Sequence, residues 1–275
     1  MMEAKAIVVA DAELVSVSTL HPLLPALEAP GLSVDIVEPF ARLSVRLEAL
    51  GTVGRDADGF VPCPEHGDTP VGIDVTVSSV VPPVDWQEAL AGLPIPGLER
   101  DHYELGASFN GVLTVGSRRV EASGLLVRDH TWGVREYTAF PAAWWTPVCF
   151  EDAFVTGVSI LHGGRWNGLT IVTRDGSTTT VLQHQVDLPE GARLAPGGYQ
   201  AATVAFPRPE GEPARLETRV VTHLPVRYPG FAPGYVVNDA FSVARWGERT
   251  GFGSIELNTT VSPEEMTGAV AAAST

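Results

Sequence analysis

Cysteine is nearly absent from this 275-residue chain: Cys63 and Cys149 are the only two. They cannot build a disulfide framework and do not form a Cys-x-x-Cys pair. Basic residues are scarce as well. Eighteen Lys and Arg stand against 33 Asp and Glu, a formal charge of −15, which suits neither a nucleic-acid backbone nor an anionic membrane surface, since both require clustered cations. No apolar run reaches the roughly 18 residues of a membrane-spanning helix. Met1-Met2-Glu3-Ala4-Lys5 lacks the basic start and apolar core of a secretory leader. The expectation is a cytoplasmic protein, monomeric or homodimeric, with no nucleic-acid partner and no membrane span. Signatures of common chemistries are missing too. Gly163-Gly164 and Gly197-Gly198 fit neither a phosphate loop nor a dinucleotide fingerprint, and no Gly-x-Ser-x-Gly elbow occurs.

What the chain has is strands. Hydrophobic residues make up 44% and charged residues 19%, a globular balance. Between Phe40 and Leu50 the apolar residues Leu43, Val45 and Leu47 alternate with Arg42, Ser44, Arg46 and Glu48, the period-2 pattern of a half-buried strand. Further strands are expected over 73–81, 102–115, 119–132, 153–161, 165–174, 178–186, 215–224, 235–246 and 251–258. Ten or more strands with little helix between them predict an all-β, antiparallel protein. Val115-Gly116-Ser117-Arg118 and Arg174-Asp175-Gly176-Ser177 read as tight hairpin turns. Asp85-Trp86-Gln87-Glu88 has capping-box spacing and opens one short helical turn through Leu90. Ser262-Pro263-Glu264-Glu265 opens an Ala-rich helix near the C-terminus.

The most specific stretch is Arg128-Asp129-His130-Thr131-Trp132-Gly133. On a strand, Arg128, His130 and Trp132 share one face and Asp129 takes the other. Side chains with polar hydrogens need partners when buried, so that face lines either a cavity or a structural polar network. A second row holds Tyr235, Val237, Asp239, Phe241 and Val243, with one carboxyl among aromatic and aliphatic neighbours. A carboxyl in apolar surroundings keeps its proton to higher pH and can act as a general acid; Asp239 is the first candidate and Asp129 the second. Trp132, Trp144, Trp145, Trp166 and Trp246 supply aromatic faces that would stabilise a cation, although core packing accounts for any one of them equally well. The proline-bounded Trp144-Trp145 segment reads as a cap over a barrel mouth rather than a strand interior. Cys63-Pro64-Glu65-His66, and His162 with His184, fall short of a metal-ligand set.

Three segments together carry a resemblance: Phe109 to Gly116, Gly124 to Arg135 with its Arg-Asp-His-x-Trp-Gly core, and Gly251-Phe252-Gly253-Ser254-Ile255-Glu256-Leu257-Asn258. They resemble the superfamily of carotenoid 1,2-hydratase and the AttH-like proteins, which includes terpenoid cyclases and Diels–Alderases. The resemblance implies two lipocalin-like antiparallel β-barrels packed side by side, expected here as residues 1–135 and 136–275. It further implies an apolar pocket, chemistry on greasy polyenes without metal or organic cofactor, and His130 and Trp132 lining the pocket.

Two functions follow as expectations. One is a cofactor-free cyclase, isomerase or hydratase of a hydrophobic polyene or isoprenoid in natural-product biosynthesis. Its acid–base groups would be Asp239, His130 and Asp129, and its substrate contacts Trp132, Arg128, Tyr235, Phe241, Trp144, Trp145 and Trp246. In a pericyclic variant, His130, Arg128 or Tyr235 would donate a hydrogen bond instead. The other function is a carrier that holds an apolar ligand unchanged.

Overall fold

Apolar alternation with period 2 produces strands almost everywhere in the computed structural model, which describes residues 2–10, 13–21, 28–29, 31–54, 68–90, 102–131, 141–192, 198–207, 213–226 and 236–259. In chain order these are β1 (Met2–Ala10), β2 (Glu13–His21), β3 (Glu28–Ala29), β4 (Leu32–Glu38), β5 (Arg42–Gly54), β6 (Thr69–Ser79) and β7 (Val84–Asp85). Then come the helix α1 (Trp86–Ala89), β8 (His102–Val115), β9 (Arg118–Thr131), β10 (Ala142–Trp145), β11 (Val148–Cys149), β12 (Ala153–His162), β13 (Arg165–Arg174) and β14 (Ser177–Val181). The last are β15 (Gln185–Asp187), β16 (Ala201–Phe206), β17 (Ala214–Val226), β18 (Val236–Trp246) and β19 (Arg249–Thr259). Each strand pairing whose register is defined is antiparallel, so the expected all-β class holds. The terminal helix expected from Ser262, and Trp132 and Tyr235, lie outside the described residues.

The chain forms two compact units, one of residues 1–79 with 107–124 and one of residues 80–106 with 125–275. The first is built on β1-β2-β5-β6 and residues 107–115 of β8, with β4 on β5 and residues 118–124 of β9 following β8; the start of β8 and the end of β9 belong to the second unit. Its small core gathers Leu47 and Val71. The second holds a sheet ordered β14-β13-β12-β10-β19-β18-β17-β16-β15, with β11 continuing the place of β10 between β12 and β19. Among the described residues that sheet runs from β14 to β15 without pairing its two edges to each other.

β12 is central in the second unit and is buried on both faces. Ala153, Val155 and Leu161 join one core with Trp144, Tyr199, Leu216 and Ile255. Phe154, Val158 and Ile160 join the other with Trp86, Ala143 and, from β13, Leu169 and Ile171.

Short connections behave as the sequence predicts. Gly116 turns the β8–β9 hairpin at φ 59, and Asp175 and Gly176 turn the β13–β14 hairpin at φ 52 and 73, the paired left-handed residues of a type I′ turn. Asp85 caps α1, its Oδ1 accepting from the backbone N–H of Gln87 at 2.8 Å and of Glu88 at 3.3 Å.

Two expectations need correction. The Trp144-Trp145 segment is no cap but the strand β10, hydrogen-bonded to β12 on one side and β19 on the other. Pro147 does not break the sheet there, because its carbonyl accepts from the Ser254 N–H at 3.0 Å as the chain crosses β19 into β11. Gly253 makes that crossing possible, since a Cβ there would stand 1.9 Å from the Pro147 oxygen. The strand expected over 178–186 is broken into β14 and β15, because His184 between them turns into the interior.

His184 fits there because Gly157 faces it: a Cβ on Gly157 would lie 2.1 Å from the ring Nδ1. Thr170 Oγ1 donates to the Gln183 carbonyl at 2.8 Å and sits 3.0 Å from Nδ1, while Thr146 Oγ1 sits 2.9 Å from Nε2. Thr170 therefore accepts from Nδ1–H and Thr146 donates to Nε2, which satisfies a neutral ring completely. Burial lowers its pKa to about 3. The unfolded chain binds a proton below the ordinary value of 6.5 while the native ring does not. The stability this group contributes is thus complete above that pH and declines as the pH falls. Between pH 6.5 and about pH 5 the loss amounts to roughly 2 kcal/mol. Urea midpoints measured at about pH 8 and about pH 5 should record it, and His184→Gln should flatten that part of the pH dependence.

Candidate active site

On β8, His102 and Glu104 share one face and Tyr103 takes the other; on β9, Asp129 and Thr131 share a face opposite Arg128 and His130. The contacts follow these faces. His102 Nε2 lies 2.8 Å from Asp129 Oδ2 and 3.0 Å from Glu104 Oε1, and Thr131 Oγ1 donates to Asp129 Oδ1 at 2.8 Å. On the other side the Tyr103 hydroxyl is 2.9 Å from His130 Nδ1, and the Arg128 guanidinium lies 5.1 Å over the Tyr103 ring, a cation–π contact. The alternation expected of Arg128-Asp129-His130 is thus present. The charged cluster lies on the Asp129 face.

Glu104 is fully buried. Its Oε1 accepts from the indole Nε1 of Trp86 at 2.7 Å and of Trp145 at 2.9 Å, while Oε2 has no hydrogen-bond partner among the described residues. Trp86 also stacks on the His102 ring, with centroids 5.4 Å apart and planes 7° from parallel. For His102, burial is the largest influence and pushes the pKa down. The hydrogen bonds and charges of Asp129 and Glu104 together outweigh it and bring it to about 9, so the ring is an imidazolium at neutral pH. His130 goes the other way, lowered by burial and then by the Arg128 charge.

Trp145 links this cluster to a second one. In register it stands opposite Glu256 on β19, and Glu256 stands opposite Asp239 on β18. Side chains of opposed residues share a face, so Asp239 is not a solitary acid in an apolar row. Ser254 Oγ donates to Asp239 Oδ1 at 3.3 Å, and Asn258 Nδ2 donates to Glu256 Oε1. Burial first, then the charge of Asp239 and a hydrogen bond with it, hold Glu256 well above the ordinary carboxylate range; Asn258 acts in the opposite sense, and Asp129 adds to the rise. A hydrogen bond between two carboxyls requires a proton on one of them. On the same face, Phe241 and Phe252 stack with centroids 6.4 Å apart and planes 2° from parallel.

The structure therefore brings Asp239, Asp129, Trp145 and Phe241 to one face of the second unit's sheet and adds His102, Glu104, Trp86 and Glu256, which the sequence reading missed. His102 and Glu104 were within reach, since both lie on an expected strand two residues apart. Glu256 was not, because only the β18–β19 register sets it against Asp239. Trp144 packs in the opposite core, 6.0 Å from the Tyr199 ring. Trp246 lies elsewhere. It lines an open cavity of about 490 Å³ with Phe206, Val172 and Arg174, beneath an Arg249 that is bound to Asp152 at 2.8 and 2.7 Å.

A family model matches residues 12–261. The chain belongs to the family described as Domain of unknown function (DUF7064). Among solved structures, an AttH-like protein (NE1406) from Nitrosomonas europaea matches at a TM-score of 0.56 and 16% identity, over 81% of this chain and 66% of that one. This chain thus spans just under two thirds of that protein's length. The likeness shows the fold alone. CghA matches at a TM-score of 0.46 and 11% identity, over 91% of this chain and 84% of that one. Kievitone hydratase from Nectria haematococca matches at 0.44 and 10%, over 94% and 87%; at such scores neither bears on activity. No curated protein matches the sequence.

Replacing Glu104 tests how the cluster is held. Glu104→Leu strands two indole N–H groups and an imidazolium and should cost about 3–5 kcal/mol. Asp129→Asn, at a half-exposed position, should cost about 1 kcal/mol or less. Urea unfolding at neutral pH measures both.

Proposed function

We propose that this protein is an acid–base enzyme, a cyclase, isomerase or hydro-lyase, acting on a hydrophobic polyene or isoprenoid, with the Asp239–Glu256 pair as its proton source. One observation carries the reading. Glu256 stands opposite Asp239 across β18 and β19, where burial and the second carboxyl both raise its proton affinity, as protonating an alkene near neutral pH requires.

In the proposed step the Glu256 proton passes to one alkene carbon, the π pair forms the new C–H bond, and a carbocation remains on the adjacent carbon. The phenyl faces of Phe241 and Phe252 and the indole of Trp145 border the dyad and would favour that positive charge. The cation then collapses in one of three ways. A second alkene attacks it and closes a ring, leaving a new cation that loses a C–H proton to the carboxylate; a neighbouring C–H returns its proton to the carboxylate directly; or water adds and releases its proton to the carboxylate. Only proton transfer is asked of the protein, so the step draws on no organic cofactor. Asp239 serves as positioning partner: its charge and hydrogen bond keep the proton on Glu256 until substrate takes it.

Incubation in D₂O with farnesol, geranylgeraniol or squalene, followed by mass spectrometry, tests the proposal. A product carrying carbon-bound deuterium is expected from the wild type. Glu256→Gln should lower its rate by at least about 100-fold while ligand quenching of tryptophan fluorescence persists. Binding without any deuterium incorporation by the wild type would assign the carrier role instead.

A further inference from the structure

The cluster of His102, Glu104 and Asp129 has a feature that an ion-pair network alone does not require. Its three ligand-type atoms lie within 4.8 Å of one another. One oxygen of each carboxylate is tied from outside: Glu104 Oε1 by two indole N–H groups and Asp129 Oδ1 by the Thr131 hydroxyl. The Asp129 Oδ2 atom is directed at His102 Nε2. Glu104 Oε2, on a side chain with no exposed surface, has no partner among the described residues. A buried carboxylate oxygen left without a donor is costly, and a cation held by this cluster would satisfy it.

We infer that His102 Nε2, the Glu104 carboxylate and Asp129 Oδ2 form a binding site for a divalent transition-metal ion. His102 Nε2 stands 2.8 Å from Asp129 Oδ2 and 3.0 Å from Glu104 Oε1, close to what such an ion needs. Ligands at about 2.0–2.2 Å from a tetrahedral centre stand about 3.4 Å apart, so the two imidazole–carboxylate separations would widen by about half an ångström to admit it. Coordination takes the place of the Nε2 proton, which leaves for solvent. One imidazole nitrogen and two carboxylate oxygens suit Zn²⁺, Co²⁺ or Mn²⁺ rather than a thiophilic ion.

The outer supports are those of a metal site. Indole donors orient Glu104, a hydroxyl orients Asp129, and the Trp86 stack fixes the plane of the imidazole. The Asp129 side chain is 35% exposed and that of His102 13%, which gives an ion a way in and leaves a coordination position on the solvent side.

Titration of the chelator-treated protein with Co²⁺, followed by its visible absorption, tests the inference without reference to turnover. Its outcome is therefore independent of the acid–base reading. One equivalent should bind with the intense band of a four- or five-coordinate ion. Glu104→Gln, which keeps an oxygen for the indoles, and Asp129→Asn should each weaken binding by at least about tenfold. Asp175→Asn, an exposed carboxylate outside the cluster, should leave it unchanged. Absence of the band, or binding undiminished in both cluster variants, overturns the inference. If Glu104→Gln fails to fold, Asp129→Asn decides alone.

Discussion

The second unit's outer face depends on one buried carboxylate. Glu104 Oε1 gathers N–H groups from α1, β8 and β10: the indoles of Trp86 and Trp145 and the imidazole of His102. Taking a carboxylate out of water is repaid only when several donors with good geometry converge on it. These three donors come from separate elements, so the same contacts that stabilise the charge also fix where α1 and the start of β8 sit on the sheet. They orient Trp145 as well, and Trp145 stands opposite Glu256. One indole thus binds Glu104 and stands in register beside the carboxyl dyad.

The sheet's two faces treat polar groups differently. On the face toward Trp144, Tyr199 donates to the Ile255 carbonyl at 3.1 Å and accepts from Asn238 Nδ2 at 3.0 Å, and His223 Nε2 reaches the Tyr199 carbonyl at 2.6 Å. Burial pushes the Tyr199 hydroxyl upward, and His184 is likewise held neutral. These groups close on one another and on backbone, the pattern of a network that specifies packing. The other face instead sets like charges side by side, which stabilises nothing by itself and shifts proton affinity. That contrast separates the histidines and tyrosine of the core from the carboxyls of the candidate site.

Much of the architecture was legible because it is local. The alternation of Leu43, Val45 and Leu47, the Asp175-Gly176 turn and the Asp85 cap each depend on a few consecutive residues, and each appears where read. The opposite facing of Asp129 and His130 was legible for the same reason. What could not be read was register. Asp239 looked isolated because its neighbours along the strand are Val237 and Phe241; its true neighbour, Glu256, is seventeen positions on and arrives only through β18–β19 pairing. Trp144-Trp145 looked unlike a strand because prolines bound it, yet a strand needs partners more than length, and β12 and β19 supply them.

The two carboxyl clusters differ by one imidazole, and that difference decides where a proton resides. Glu104 and Asp129 face His102, and their hydrogen bonds and charges outweigh burial to raise its pKa. The groups that act on Glu256 are instead Asp239, an amide and the charge of Asp129. Two acids set against each other in this way share a proton, and they titrate as a pair. Asp129, neutralised locally by His102, still contributes to the rise at Glu256. The cluster built around a cation thus reinforces proton retention in the cluster built from two acids. Acidity on this face is set first by the burial of Glu256 and then by the Asp239 carboxyl beside it.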